Sequence, residues 1–349
     1  MMRLPLFEFR APHTLEEAAR ILDGEGASAM PLAGGTDLLP NMKRRQQVPR
    51  TLMSLRHIEN LHALRLGDSG SRLGDSGCRL GACVTLSEIA GDPRFRNGLT
   101  ALAQAASFVA TPQIRNMATL GGNLCLDTRC NYYDQSYEWR KSIDFCLKKD
   151  GTICWVAPGS PKCMAISSTD TAPALIALGA RVRLVSRSEE REVPLAELYN
   201  HDGLDYIRRR PNEILAEVLL DSLHGWKSTY WKLRRRGSFD FPVLSVAAAA
   251  RFSASGEVED ARIVVGSVAS RPLVATDAAK FLIGRSLDHE VIAEAAALAA
   301  RVAKPLDNTD FDMTWRKKVA GEFVTYALRE LRGDDVTRER ESLMHLPPL

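Results

Sequence analysis

Pro31-Leu32-Ala33-Gly34-Gly35-Thr36-Asp37-Leu38 carries the chain from a buried-strand pattern, Ser28 to Ala33, through paired glycines into Leu38 to Arg45, which can form a helix. A second stretch of the same kind is Ile114-Arg115-Asn116-Met117-Ala118-Thr119-Leu120-Gly121-Gly122-Asn123. Paired glycines free backbone amides for an anion, and two such loops, each followed by a polar side chain, can bring two sets of amides onto one pyrophosphate. A lone Gly-Gly is more often a plain turn; the repetition argues for a ligand. Neither loop has the spacing G-x-G-x-x-G, so a Rossmann dinucleotide site is not supported.

Around these loops the chain alternates short helices and strands. Thr14-Leu15-Glu16-Glu17 is a capping box, followed by apolar residues at helical spacing and a stop at Gly24. Thr51 to Leu55 predicts a strand, Ala101 to Val109 a buried helix, Thr169-Asp170 the cap of a helix over Ala172 to Leu178, and Ala180 to Ser186 a further strand. The near-repeat Arg65-Leu66-Gly67-Asp68-Ser69-Gly70 and Arg72-Leu73-Gly74-Asp75-Ser76-Gly77 predicts a lengthened surface hairpin without a function of its own. Strand patterns at Glu213 to Leu220, Val243 to Phe252 and Ala261 to Val268, then helical ones at Thr276 to Leu282, Glu290 to Val302 and Thr314 to Leu331, place a boundary near Gly225 and a small α+β domain after it.

Five of the seven cysteines, Cys125, Cys130, Cys146, Cys154 and Cys163, fall in one 39-residue stretch directly after the second glycine loop. Cys78 and Cys83 lie outside it and read as small core residues. From Cys125 to Pro161 no helical or alternating pattern is sustained, and so long an aperiodic loop needs something other than a hydrophobic core to hold it. The residues alone leave two metal readings open, an iron-sulfur cluster and tetrahedral zinc, although the close C-x-x-C pairs common in zinc sites are absent. Trp139 and Trp155 read as packing around a buried centre.

With 349 residues, 45% of them hydrophobic, the chain has material for two or three domains. The N-terminus lacks a signal-peptide pattern, no apolar run is long enough to span a bilayer, and the clustered thiols suit a reducing compartment, so the expectation is a cytoplasmic protein with no membrane partner. A net charge of +3 makes no case for nucleic acid. No nucleophile and base stand together in a recognisable pattern, so no catalytic residue is expected.

The two glycine stretches, together with Ser168-Thr169-Asp170-Thr171-Ala172-Pro173, Tyr230-Trp231-Lys232 and Asp240-Phe241-Pro242-Val243-Leu244-Ser245-Val246-Ala247, resemble the flavoprotein subunit of the molybdenum hydroxylases, a group including xanthine and carbon monoxide dehydrogenases. The resemblance covers nearly the whole chain. It implies an α+β protein: a vanillyl-alcohol-oxidase-type FAD-binding domain of two subdomains over residues 1–225, then the C-terminal α+β domain of the flavoprotein subunit over 226–349. Carried over, it places Pro31, Leu32, Ala33, Gly34, Gly35, Thr36, Asp37 and Leu38, with Thr119, Leu120, Gly121, Gly122 and Asn123, on the FAD pyrophosphate. Val109 is set against the flavin, Asp170 near its polar chain, and Leu215 and Lys232 beside the isoalloxazine. A lysine there would stabilise a reduced flavin's negative charge. Read without the resemblance, Lys232 is a solvated lysine and Asp170 a helix cap.

Most of that family lacks the cysteine-rich stretch. An insertion over 125–166 resembles the β-subunit family of 4-hydroxybenzoyl-CoA reductases, whose extra loop carries a 4Fe-4S cluster. The separations of 16, 8 and 9 along Cys130, Cys146, Cys154 and Cys163 fit that ligand pattern and leave Cys125 unligated beside the flavin loop. The resemblance implies a heterohexamer, two copies each of this subunit, a 2Fe-2S small subunit and a large molybdenum-cofactor subunit. Electrons from ferredoxin would enter at the 4Fe-4S cluster, pass to FAD and leave for the partner subunits, where the substrate's phenolic hydroxyl is removed to give benzoyl-CoA. The alternatives are the FAD subunit of another molybdenum hydroxylase, using NAD or quinone, and a non-catalytic zinc-binding module.

Overall fold

The computed structural model describes residues 3–66 and 77–344, so most of the tandem Gly-Asp-Ser-Gly repeat lies outside the described residues. Three sheets organise the chain. Strands β1 (Glu8–Arg10), β2 (Ala29–Leu32) and β3 (Thr51–Ser54) form a parallel sheet in the order β1-β3-β2. The helix Leu15–Glu25 covers it with Ala18, Ala19 and Leu22. Thr14 caps that helix by accepting the Glu17 amide at 3.1 Å, while the Glu17 carboxylate takes the His13 amide. The helix runs past Gly24 and stops at Gly26, whose φ of 55° ends it.

The second sheet is antiparallel, with β4 (Leu64–Leu66), β5 (Cys78–Gly81), β6 (Arg181–Val185), β7 (Glu190–Pro194) and β8 (Ile214–Leu220) in the order β4-β5-β8-β6-β7. Every residue of β8 is buried. Its register against β6 slips between Arg183 and Leu184, and this bulge switches the faces of the strand. Ile214 and Ala216 therefore pack with Leu22 and Met53 of the first subdomain, whereas Leu215, Val218 and Leu220 join the core around Leu102 and Leu175.

The third sheet, β9 (Trp226–Leu233), β10 (Leu244–Phe252), β11 (Val258–Gly266) and β12 (Leu273–Val274), is antiparallel in the order β12-β11-β10-β9. Both its faces are covered. Tyr230, Ala247 and Ala249 face the core around Leu102 and Leu175, whereas Trp231, Val246 and Ala248 face the C-terminal helices His289–Ala300 and Met313–Arg332. Burial on both faces removes polar alternation, and for that reason the strand over Trp226–Leu233 escapes a periodicity reading. Among the described residues no helix is long and apolar enough to cross a membrane.

Between Cys125 and Ile166 the only regular element is the short helix Tyr137–Ser142. The neck of this insertion closes where Arg129 and Ile166 exchange two backbone hydrogen bonds of 2.8 Å. Inside it Lys148 is buried, donating to Asp127 Oδ1, Thr128 Oγ1 and the Gly203 carbonyl at 2.7–2.8 Å, under the rings of Tyr133 and Tyr206. Trp139 and Trp155, expected to pack around a buried centre, lie partly at the surface, 39% and 38% exposed. Trp155 is held at the surface by its indole N–H to the Phe145 carbonyl, 2.6 Å away.

Candidate functional site

The two glycine loops meet. A Cβ at Gly34 would collide with the Met117 carbonyl, so only glycine lets the first loop lie against the approach to the second. Gly35 sits at φ 71°, a left-handed turn that glycine adopts without strain. Among the described residues no protein acceptor takes the amides of Gly34, Gly35, Thr36 or Asp37. The second loop behaves differently. Its Leu120 and Gly121 amides donate to the Val84 and Ala82 carbonyls, and the Gly122 amide to Thr119 Oγ1. Free amides thus come from the first loop, and the second contributes close approach.

Between the loops opens a cavity of about 510 Å³, within the range of small-molecule sites. Its wall includes Pro31 to Leu38, Val109, Thr119, Gly121, Gly122, Asn123, Asp170 and Leu215. Two expected residues stand outside the wall. Leu120 is fully buried in the neighbouring core, and Lys232 lies behind Asp170.

Lys232 is not a solvated lysine. Its Nζ donates to the Asp170 carboxylate at 3.1 Å and to the carbonyls of Phe108 and Asp240 at 2.9 Å, so all three protons have acceptors. Nor is Asp170 a plain helix cap. Its carboxylate accepts from Tyr230 Oη at 2.7 Å and from Lys232, while Thr169 Oγ1 takes the Ala172 amide at the start of the helix Thr171–Ala177. Burial pushes the Asp170 carboxyl up and the Lys232 ammonium down, each partner's charge opposing the other's shift. Asn123 orients this segment, its Oδ1 accepting from Thr169 Oγ1, the Thr171 amide and Thr171 Oγ1.

Ser168 was not singled out, although its motif was. It is buried in the cavity wall and its Oγ has no partner, an orphan that a polar ligand would satisfy. Arg44, Arg129, Arg209 and Phe239 also line the wall without a motif that marks them, as does Phe241 of the Asp240 to Ala247 motif. With free amides, an orphan hydroxyl and apolar surface from Leu32, Val109, Ile114 and Leu215, the cavity fits a dinucleotide carrying a flat aromatic ring.

Cys130, Cys146, Cys154 and Cys163 are all buried, 5–7% exposed, and all are free thiols. Their charges interact: a thiolate at Cys130 would be repelled by charge on Cys163 and Cys146, and one at Cys163 by charge on Cys154 and Cys146. Burial pushes the Cys130 thiol up to about 12 and the Cys163 thiol to about 11. The Tyr132 amide favours the Cys130 thiolate, and the Ala165 amide donates to Cys163 Sγ at 3.4 Å. Among the described residues no three His, Cys, Asp or Glu side chains are grouped to hold a metal ion. One tetrahedral zinc, with Zn–S near 2.3 Å, needs its sulfurs about 3.8 Å apart. Cys125 stands apart from the four, lining the cavity, and burial raises its thiol too. Cys78 and Cys83 are core residues, 5% and 1% exposed.

Comparison with known proteins gives a consistent result. Residues 5–220 match the FAD binding domain in molybdopterin dehydrogenase, and residues 228–331 the CO dehydrogenase flavoprotein C-terminal domain. The carbon monoxide dehydrogenase medium chain of Afipia carboxidovorans is 26% identical over 93% of this chain and 96% of its own. The FAD-binding subunit PaoB of the Escherichia coli aldehyde oxidoreductase is 31% identical over 69% of this chain and 75% of its own. Carbon monoxide dehydrogenase of Hydrogenophaga pseudoflava superposes with a TM-score of 0.74 at 26% identity, covering 94% of this chain and 98% of the other.

Proposed function

The chain belongs to the FAD-binding subunits of the molybdenum hydroxylase family, an FAD-binding domain of the vanillyl-alcohol oxidase type joined to the C-terminal domain of carbon monoxide dehydrogenase flavoproteins. From that premise we propose that it is an electron-transfer subunit carrying a 4Fe-4S cluster beside FAD, in a complex of the 4-hydroxybenzoyl-CoA reductase type. Ferredoxin is the donor in this reading. The acceptors are a 2Fe-2S small subunit and a molybdenum large subunit, two copies of each with this chain, in the cytoplasm.

The observation that carries the reading is the burial of four thiols in one insertion whose neck lines the cavity. In a 4Fe-4S cluster inorganic sulfides stand between the irons and each iron takes one cysteine, so four thiols from separate turns of one loop can serve it. Amide hydrogen bonds to Cys130 and Cys163 are the kind that adjust a cluster's potential. The free amides of Gly34 to Asp37 would hold the FAD pyrophosphate, Ser168 Oγ its polar chain, and Val109 and Leu215 its ring. Bound there, FAD supplies a redox centre able to take and give electrons one or two at a time. Asp170 and Lys232 act as a buried ion pair without net charge that fixes the helix Thr171–Ala177 and the Phe108 and Asp240 carbonyls around the cavity.

The relatives named above are dehydrogenase and oxidoreductase subunits, and they favour a second reading, an FAD subunit of that kind, for which NAD or quinone is the acceptor we propose. Iron and acid-labile sulfide analysis of the anaerobically purified complex separates the two. About four of each per chain, beyond those of the partner subunits, supports the cluster. Cys146→Ser should remove these while FAD stays bound; full flavin with no such iron in the unaltered chain supports the second reading.

A further inference from the structure

An acidic side chain in a loop that binds diphosphate repels the ligand unless a cation stands beside it. The cavity wall contains five acids, each paired with a cation from outside the glycine loops; four of them lie away from the first loop, Asp127 with Lys148, Asp170 with Lys232, Glu213 with Arg191 and Asp240 with Arg236. The fifth, Asp37, sits among the free amides. Its carboxylate pairs with the guanidinium of Arg129, at the neck of the cysteine insertion, and also accepts from Asn41 Nδ2 at 3.2 Å and the Asp127 amide at 3.4 Å. Arg129 is held from every side. Its backbone is locked to Ile166, its Nη1 donates to Asn41 Oδ1 at 3.0 Å and Asp134 Oδ1 at 3.1 Å, and Phe241 lies under its guanidinium, 4.9 Å from the ring centre. It is 7% exposed, it lines the cavity, and its Nε is buried without a partner.

We propose that Arg129 is a cofactor-binding residue supplied by the insertion: it neutralises Asp37, so that the loop can accept a diphosphate, and lines the cavity beside it. The inference rests on the reading that the Gly34 to Asp37 amides hold the FAD diphosphate. It makes the cysteine insertion part of the flavin site, whatever metal the insertion carries.

The test is a set of titrations of the full-length chain, stripped of flavin, with FAD and with riboflavin, which has no phosphate. Arg129→Gln should weaken FAD roughly tenfold to a hundredfold, the effect of one uncompensated charge near a diphosphate at an effective dielectric of about 20, and leave riboflavin unchanged. Asp37→Asn alone should bind FAD at least as tightly as the unaltered chain, and Arg129→Gln with Asp37→Asn should recover most of the loss. Equal losses for FAD and riboflavin would make Arg129 merely structural, and a loss that persists in the double variant would overturn the pairing. Gly122→Glu tests the loop reading separately. If that variant keeps full FAD affinity, the diphosphate lies elsewhere and the reading of the loops fails with the inference; if it loses FAD while Arg129→Gln does not, the inference fails alone.

Discussion

Replacing Lys232 by Met would test whether the buried pair behind the cavity wall holds the site together. The Lys232 side chain is 1% exposed and the Asp170 side chain 4%, so water cannot take over for either partner. Removing the ammonium leaves a buried carboxylate with only Tyr230 Oη, and breaking one side of such a pair costs about 3–5 kcal/mol. The Phe108 and Asp240 carbonyls also lose a donor, which keeps the cost at the upper end of that range. For a domain of this size the loss lowers the melting temperature by about 8–15 °C, read by calorimetry on the flavin-free chain. The loss depends on pH with a definite sign. Asp170 already has its folded pKa raised by burial, and without Lys232 it is raised further. A carboxyl of raised folded pKa favours the fold most below its unfolded pKa, and this contribution disappears as pH rises through the folded value. Lys232→Met should therefore be damaged least near pH 4 and increasingly above it. Adding Asp170→Asn, which removes the charge and keeps an acceptor for Tyr230, should recover most of the stability. A Lys232→Met variant within about 1 kcal/mol of the original, or a double variant no better than the single, would refute the reasoning.

Two further outcomes follow from the geometry. Gly34→Ala drives a methyl group into the Met117 carbonyl, which is backbone and cannot swing aside, so it should cost about 2 kcal/mol or more and yield protein with little flavin by its visible absorbance. In the metal-free chain Cys130 and Cys163, with thiols near 12 and 11, should alkylate at pH 8 at least about a hundredfold more slowly than a free cysteine, rising with pH toward 11; rates like those of free thiols would mean the insertion is open to solvent.

Much of the fold was legible because local chemistry and tertiary structure agree. The Thr14 cap, the apolar run into Gly34-Gly35 and the alanine-rich helix Thr100–Ser107 each state their element in a few residues. The strand Trp226–Leu233 was not legible, because burial on both faces erases the alternation that marks a strand. The Asp170 side chain was legible only as a cap, since its carboxylate turns to Tyr230 and Lys232, sixty residues along the chain, and leaves capping to Thr169.

The sequence by itself determined which groups are available: paired glycines able to approach a neighbouring backbone, and thiols concentrated in a stretch too irregular to make its own core. Only the tertiary structure decided how they are used. It left the first loop's amides free and occupied those of the second, turned Lys232 inward behind Asp170, and set Arg129 of the insertion against Asp37. The physical reason is that hydrogen-bond saturation and charge neutralisation are properties of neighbours in space. Spacing along the chain specifies a residue's local geometry, whereas the partner that satisfies its charge arrives from another part of the fold.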